Sequence, residues 1–531
     1  VANALACTNL IVGKNASADG STIVSYSADS YGLFGELYHY PAGMHKKGTL
    51  IDIHEWDTGK YLGQIAQARQ TYNVIGNMNE FQLTIGETTF GGRPELVDTT
   101  GIIDYGSLIY LGLQRSRTAR EAIKVMTELV QEYGYYSGGE SFTIADPNEI
   151  WIMEMIGKGP GVRGAVWVAV RVPDDCISAH ANQSRIHQFN MNDKENCMYS
   201  PDVISFAREK GYFDGVNKDF SFANAYAPLD FGARRYCEAR VWSYFNMFTD
   251  RGNEFLPYIL GETNTPMPLF VKPNRKVSVQ DVKNAMRDHY EGTPLDISKD
   301  FGAGPYHTPY RLSPLSFKVG DREYFNERPI STQQSGFVFV AQMRSELPDP
   351  IGGVLWFGTD DANMTVFTPV YCCTDKVPVC YTRVDGADYI TFSWNSAFWI
   401  FNWVANMVYP RYDLMMGDVR ATQTELETTF NEAQEGVEAA AAKLLEKDPA
   451  KAKAFLTNYT NMTAQSTFDT WKRLGEFLVV KYNDGVVKRM KNGQFERNSI
   501  GQPAGVIRPG YPKEFLEEYV KQTGDRYKMP E

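Results

Sequence analysis

Val1-Ala2-Asn3-Ala4-Leu5-Ala6-Cys7-Thr8-Asn9-Leu10-Ile11-Val12-Gly13 opens the chain, and the junction between Ala6 and Cys7 decides how the rest is read. Ala4-Leu5-Ala6 has the small-x-small pattern after which signal peptidase cuts. Residues 1–6 are therefore expected to be a leader remnant, and Cys7 the first residue of an exported mature protein. Such a cysteine carries a thiol and a free α-amine on one residue. Unperturbed, the amine titrates near pH ~8 and the thiol near ~8.5, so the amine can take the thiol proton close to neutrality. Nucleophile and base then come from a single residue, with no histidine required. Two plainer readings stand beside this one: a lipid-modified cysteine anchoring a non-catalytic surface lipoprotein, or a core thiol in the first strand. The lipoprotein reading fits poorly, because Ala4 stands where a lipobox carries Leu, and the strand pattern begins at once at Thr8.

Outward from Cys7, residues 8–13 form an apolar strand, Ala18-Asp19-Gly20 supplies turn chemistry, and 21–28 run back. A reversal centred near residue 17 sets 27–29 beside Cys7. Further strands are expected at 72–76, 83–87, 141–146, 150–156 and 165–171. A helix is expected over 105–115. A second follows the capping box of Thr118 and Glu121, with Ile123, Met126, Val130 and Tyr133 at helical spacing. From about Thr422, Ala, Glu, Lys and Leu dominate to Lys447, and Asp448-Pro449 stops one helix and starts another. A third is expected near Ser466, with Trp471, Leu474 and Leu478 on one face. The organisation predicted is α+β, with a catalytic domain over 7–420 and a helical extension over 421–531. That extension reads as a packed cover or a surface for homo-oligomer assembly.

The chain has 531 residues and a net charge of −11, with no run of Lys or Arg that would mark a nucleic-acid partner. The most apolar stretch, 397–409, is too short to span a bilayer and is broken by Asn402 and Asn406, so it reads as a buried helix or strand pair. None of the seven cysteines forms a C-x-x-C pair. Cys372 or Cys373 could close a short loop with Cys380, or all three could be free thiols. The seven histidines show no metal-ligand spacing, and G-x-S-x-G is absent. His180 could be a general base, but a lone histidine at a strand end reads better as a hydrogen-bonded structural residue. Gly159-Pro160-Gly161-Val162-Arg163-Gly164 satisfies G-x-G-x-x-G, yet strand-like residues follow where a phosphate-binding helix should start, so it reads as a hairpin turn.

Cys7-Thr8-Asn9-Leu10-Ile11-Val12-Gly13-Lys14, Ala18-Asp19-Gly20-Ser21-Thr22 and Ala28-Asp29-Ser30 open an ordered series of blocks. The series continues through Val74-Ile75-Gly76-Asn77-Met78-Asn79-Glu80, Gly86-Glu87-Thr88-Thr89-Phe90-Gly91-Gly92-Arg93 and Glu149-Ile150-Trp151-Ile152-Met153-Glu154. It ends with His180-Ala181-Asn182-Gln183, Met286-Arg287-Asp288-His289-Tyr290-Glu291-Gly292-Thr293 and Gly353-Val354-Leu355-Trp356-Phe357-Gly358. In these blocks the chain resembles the cysteine dipeptidases of the N-terminal-nucleophile (Ntn) hydrolases, relatives of bile salt hydrolases and penicillin V acylases. The resemblance implies an αββα four-layer sandwich, to which the C-terminal helices are additional, and no metal or organic cofactor. It assigns Cys7 as nucleophile, Asp29 as the acid that orients its amine, Asn182 as an oxyanion-hole amide and Arg240 as the arginine near the nucleophile. The relatives' second asparagine falls near Thr88 or Thr89, and Tyr26 stands where they usually carry arginine.

The function implied is hydrolysis of small peptides through a thioester, in a periplasmic, cell-surface or secreted enzyme. For the substrate's ammonium and carboxylate the candidates are Glu87, Arg93, Glu140 and Asp288. An N-acyl amide hydrolase acting on conjugated bile salts or penicillin V is the alternative that keeps the chemistry and changes the substrate.

Overall fold

Along Ile150-Trp151-Ile152-Met153-Glu154-Met155-Ile156 every residue is buried, but the side chains divide. Trp151, Met153 and Met155 join one apolar layer, while Ile150, Ile152 and Ile156 join another. Successive side chains of a strand point to opposite faces, so a strand apolar throughout has to be covered on both sides. The computed structural model describes residues 7–312 and 315–531, so the leader expected at 1–6 lies outside the described residues.

The strands that build this core are β1 (Asn9–Val12), β2 (Thr22–Asp29), β3 (Thr84–Gly91), β4 (Gly139–Ala145), β5 (Ile150–Gly157), β6 (Ala165–Arg171), β7 (Ile177–His180), β8 (Ser335–Met343), β9 (Val354–Thr359) and β10 (Thr368–Tyr371). The main helices are α1 (Tyr105–Arg115), α2 (Ala119–Tyr133), α3 (Ala239–Phe248), α4 (Ala397–Val408), α5 (Tyr412–Leu445) and α6 (Pro449–Tyr482). One sheet has the order β7-β1-β2-β8-β9-β10. The other runs from Cys197–Tyr199 through β6, β5, β4 and β3 to the short strands Met78–Asn79, Val74–Ile75 and His39–Tyr40. Helices α1 and α2 pack on the second sheet, whereas α3, α4, α5 and α6 pack on the first. The sheets meet where β1 and β2 approach β3 and β4. Gly86 permits that approach, since a Cβ there would lie 2.5 Å from Asn9 Oδ1.

The β1–β2 hairpin forms as the sequence predicts. Val12 pairs with Ile23, Ile11 with Val24 and Thr8 with Ser27, so the reversal lies between residues 17 and 18. Asp19 holds the turn by accepting from the Ser21 N–H and hydroxyl, and Gly20 takes φ +78°. Helix α1 has the predicted bounds. At the start of α2 only half of the expected capping box forms: Thr118 accepts from the Glu121 N–H, but the Glu121 carboxylate takes the Arg117 N–H instead of that of Thr118. The glycine-rich segment 159–164 is a turn between the antiparallel strands β5 and β6.

The C-terminal region departs from the sequence reading. Residue 421 falls inside α5, which starts at Tyr412 and already buries Met415, Met416 and Val419. Asp448 caps α6 through the N–H groups of Ala450 and Lys451, with Pro449 at the first helical position. The helix then continues unbroken through Ser466, so the third helix expected there is the second half of α6. Within it, Thr463 returns its hydroxyl to the Tyr459 carbonyl of the preceding turn. Trp471, Leu474 and Leu478 are buried together, as expected. Beyond Tyr482 the chain forms short ribbons, Val487–Lys488 with Val506–Ile507 and Met490–Lys491 with Gln494–Phe495, before a helix at Lys513–Thr523. The segment 397–409 is helix α4, and no helix among the described residues is long and apolar enough to cross a membrane.

Candidate active site

Cys7 precedes the Thr8–Ser27 bridge by one residue, which places it against the end of β2. Its side chain is buried, and Sγ lies 3.4 Å from Glu87 Oε1 and 3.7 Å from Tyr26 Oη. Tyr26 donates to the same Glu87 oxygen at 2.6 Å, and its ring packs against Phe337 and Phe339 of β8. Tyr26 thus stands where an arginine was the expectation, and it serves a carboxylate instead. Burial, and then the negative charges of Glu87 and Asp29, push the Cys7 thiol well above its usual range. The Asp29 backbone N–H works against that shift.

Asp29 is deeply buried. Burial raises its carboxyl, and a cation opposes the rise: Arg328 Nη2 donates to Oδ2 at 2.6 Å. Ser27 and Ser335 donate to the two oxygens as well. Arg328 is a residue the sequence reading missed. It lies 299 positions from Asp29, and no local pattern links the two.

Arg240 reaches the site by another route. It lies in the first turn of α3, just after Ala233–Glu238, which winds as a π-helix, a form that often occurs at functional sites. The resemblance places it near the nucleophile. In the fold its guanidinium donates to the Cys7 carbonyl at 2.6 Å, the Thr8 hydroxyl at 2.8 Å, the Ala181 carbonyl and Asn182 Oδ1. It therefore fixes the backbone of Cys7 and the amide of Asn182, rather than touching sulfur. Asn182 sits at φ +64°, a left-handed conformation that asparagine tolerates better than most residues, and its Nδ2 donates to the Thr89 carbonyl.

The loop bearing Asn182 is built on Glu154. This carboxylate accepts from the Arg185 and Ile186 N–H groups and the Ser184 hydroxyl, and burial raises it to about 7. Arg185 then pairs with Glu238 at 2.9 Å, joining the loop to the segment that leads into α3. His180 lies between the sheets with Thr88 on Nδ1 and Thr143 on Nε2. Burial and Arg185 hold its pKa down to about 3, so it is a neutral structural histidine.

The remaining candidates divide. The Thr88 hydroxyl is committed to His180, and that of Thr89 donates to Glu140. Glu140 lies on β4 beside β3, and its carboxyl faces that of Glu87. Burial and the Glu87 charge push Glu140 well above the carboxylate range, whereas hydrogen bonds, among them those from Tyr26 and Cys7, temper the rise at Glu87. Both carboxyls are thus pushed toward the neutral form, Glu140 the further of the two. Arg93 stacks over the Tyr212 ring and donates to the Ala225 carbonyl, and Asp288 accepts from Ser243, so the structure does not bring either against Cys7. All seven cysteines are unbridged, and no cluster of three His, Cys, Asp or Glu residues among the described residues is arranged to hold a metal. A surface groove of about 300 Å³ beside Glu291, His307 and Tyr412 shares no residue with this centre.

The chain is similar to known peptidases. A probable dipeptidase of Salmonella dublin is 30% identical over 395 residues, spanning 69% of this chain and 81% of the relative. A probable dipeptidase of Latilactobacillus sakei is 26% identical over 474 residues, 85% of this chain and 90% of the relative. Dipeptidase A of Lactobacillus helveticus is 24% identical over 416 residues, 74% and 80% of the two chains. Residues 6–39 and 34–425 match the profile of peptidase family C69, and the chain belongs to that family of peptidases.

Proposed function

We propose that the protein is a cysteine dipeptidase of the N-terminal-nucleophile type, with the αββα sandwich of that class, and that it acts after export and removal of residues 1–6. The observation that carries this reading is the set of contacts at Cys7. Arg240 grips its carbonyl, Asp29 with its arginine lies beside it, and the Asn182 amide is held by the same Arg240. A lipid anchor is disfavoured because the sulfur is packed inside the body against Tyr26 and Glu87.

In the proposed reaction the free Cys7 amine takes the thiol proton, and the thiolate attacks the peptide carbonyl carbon. The oxyanion is stabilised by the second N–H of Asn182 and a backbone N–H near Thr88, where losing one such donor typically costs ~10²–10³ in rate. The ammonium returns its proton to the leaving nitrogen, the C–N bond breaks, and a thioester remains. Water, deprotonated by the same amine, attacks that thioester and releases the thiol. Asp29, kept ionised by Arg328, orients the ammonium. While Ala6 is attached, the residue-7 nitrogen is an amide and no base, and the buried thiol keeps its proton, so the longer chain is latent.

The test is a panel of dipeptides, a glycine-conjugated bile salt and penicillin V, assayed with protein beginning at Cys7 and with its Cys7→Ala variant. Dipeptide cleavage that falls to background in the variant is expected. Cleavage by Cys7→Ala at the parent rate, or a preference for the N-acyl substrates, contradicts the proposal.

A further inference from the structure

We propose that the Glu87–Glu140 pair is the seat of the substrate's free α-ammonium, making the enzyme selective for peptides whose first residue has an unblocked amine. The inference rests on the dipeptidase reading and adds to it the group that reads the amino end.

The geometry begins at sulfur. In the acyl-enzyme the α-nitrogen of the first residue lies two bonds, each about 1.5 Å, beyond the carbonyl carbon that sulfur attacks. The nitrogen is thereby confined to within about 4 Å of Sγ. Glu87 Oε1 occupies that shell, 3.4 Å from Sγ. An ammonium seated there donates to Glu87 in the place where the thiol now does.

The surroundings point the same way. Four other buried acids have an arginine: Glu427 has Arg287, Glu438 has Arg344, Glu238 has Arg185 and Asp29 has Arg328. Asp104, Asp146 and Glu154, buried without one among the described residues, accept backbone N–H donors instead. Among the described residues no Lys or Arg forms an ion pair with Glu87 or Glu140. Glu87 Oε2 and Glu140 Oε1 are fully buried and receive no donor from any third residue. Both carboxyls are at most 1% exposed. Leaving such a group without a cation is costly, and a substrate ammonium removes that cost at the moment of binding. An acyl chain without an amine leaves it in place. Sites built around a polar group of the substrate reject the analogue lacking it by large factors for this reason. The Tyr26 hydroxyl holds Glu87 Oε1 in place beside the sulfur.

The experiment compares kcat/KM for alanylalanine and N-propanoylalanine, which differ only in the amine, using protein that begins at Cys7. The expected preference for alanylalanine is on the order of 10²-fold or more. In Glu87→Gln that ratio collapses toward 1. In Glu140→Gln, which leaves the Glu87 carboxylate in place, the ratio falls by only about tenfold. A wild-type ratio near 1 overturns the inference. So does Glu87→Gln lowering both substrates equally, because the carboxylate then serves the sulfur and not the amine. An equal collapse in Glu140→Gln also overturns it. Should Glu87→Gln fail to fold, the wild-type ratio and Glu140→Gln still decide. The two readings fail separately: an active Cys7→Ala protein removes the dipeptidase mechanism, whereas an inactive Cys7→Ala with a wild-type ratio near 1 removes only the ammonium site.

Discussion

Glu427 and Glu438, beneath the C-terminal helices, and Glu87 and Glu140, beside Cys7, are all buried and are held in opposite ways. Arg344 clasps Glu438 with two parallel N–H donors at 2.6 and 2.8 Å. Arg287 clasps Glu427 in the same fashion. Burial alone would raise Glu427, but Arg287 and the nearby Lys283 hold it down to about 2. Around Cys7 the acids Glu87 and Glu140 face each other and a thiol, and burial raises both. The first region fastens α5 to the sheet. The second leaves two carboxyls without a paired Lys or Arg, among the described residues, at the place where chemistry is proposed. Burial by itself therefore says little about the role of an acid; its partner does.

The largest effect expected from this contrast is on stability. Glu438→Ala strands the Arg344 guanidinium in the core, and breaking one side of a buried pair costs about 3–5 kcal/mol. Chemical denaturation is expected to show that loss, with activity per folded molecule retained. A change below about 1 kcal/mol, the range of an exposed pair, removes the structural half of the comparison.

Arg328→Met gives the next effect, on catalysis. Asp29 loses its paired cation, and its carboxyl, already raised by burial, rises further. The acid limb of the kcat/KM profile should then move to higher pH, with kcat/KM down about 10²-fold near neutrality, comparable to other losses of a charged hydrogen bond. Arg328→Lys should restore part of both. An unmoved acid limb would mean that Arg328 serves packing alone.

A smaller effect tests the seam between the sheets. His180 has a pKa of about 3 in the folded protein and ~6.5 when unfolded. Between these values the unfolded chain binds a proton that the native one does not. Its contribution to stability is therefore full above pH ~6.5 and is lost as pH falls through that window. From pH 7 to pH 5 the wild type should lose about 2 kcal/mol relative to His180→Gln. A difference that does not vary with pH would contradict the neutral, threonine-held histidine.

How much of this was legible from sequence depended on range. Asp29 beside Cys7 follows from a hairpin whose turn residues lie between them, and the apolar run over residues 150–156 marks a strand. Resemblance named Asn182 and Arg240 but not their contacts, and Arg240 proved to bind the Cys7 carbonyl and the Asn182 amide instead of sulfur. Arg328 could not be found, since its link to Asp29 exists only once residue 335 pairs beside β2. The change of composition near Thr422 lies ten residues inside α5, and the helix start expected near Ser466 lies inside α6.

The most direct test of the central claim is intact mass and N-terminal sequencing of the active protein set beside the inactive precursor. Activity is expected only in molecules that begin with Cys7, carry an unmodified α-amine and lack residues 1–6. Full activity in molecules that retain Ala6, or in which the Cys7 nitrogen is acylated, would contradict the account.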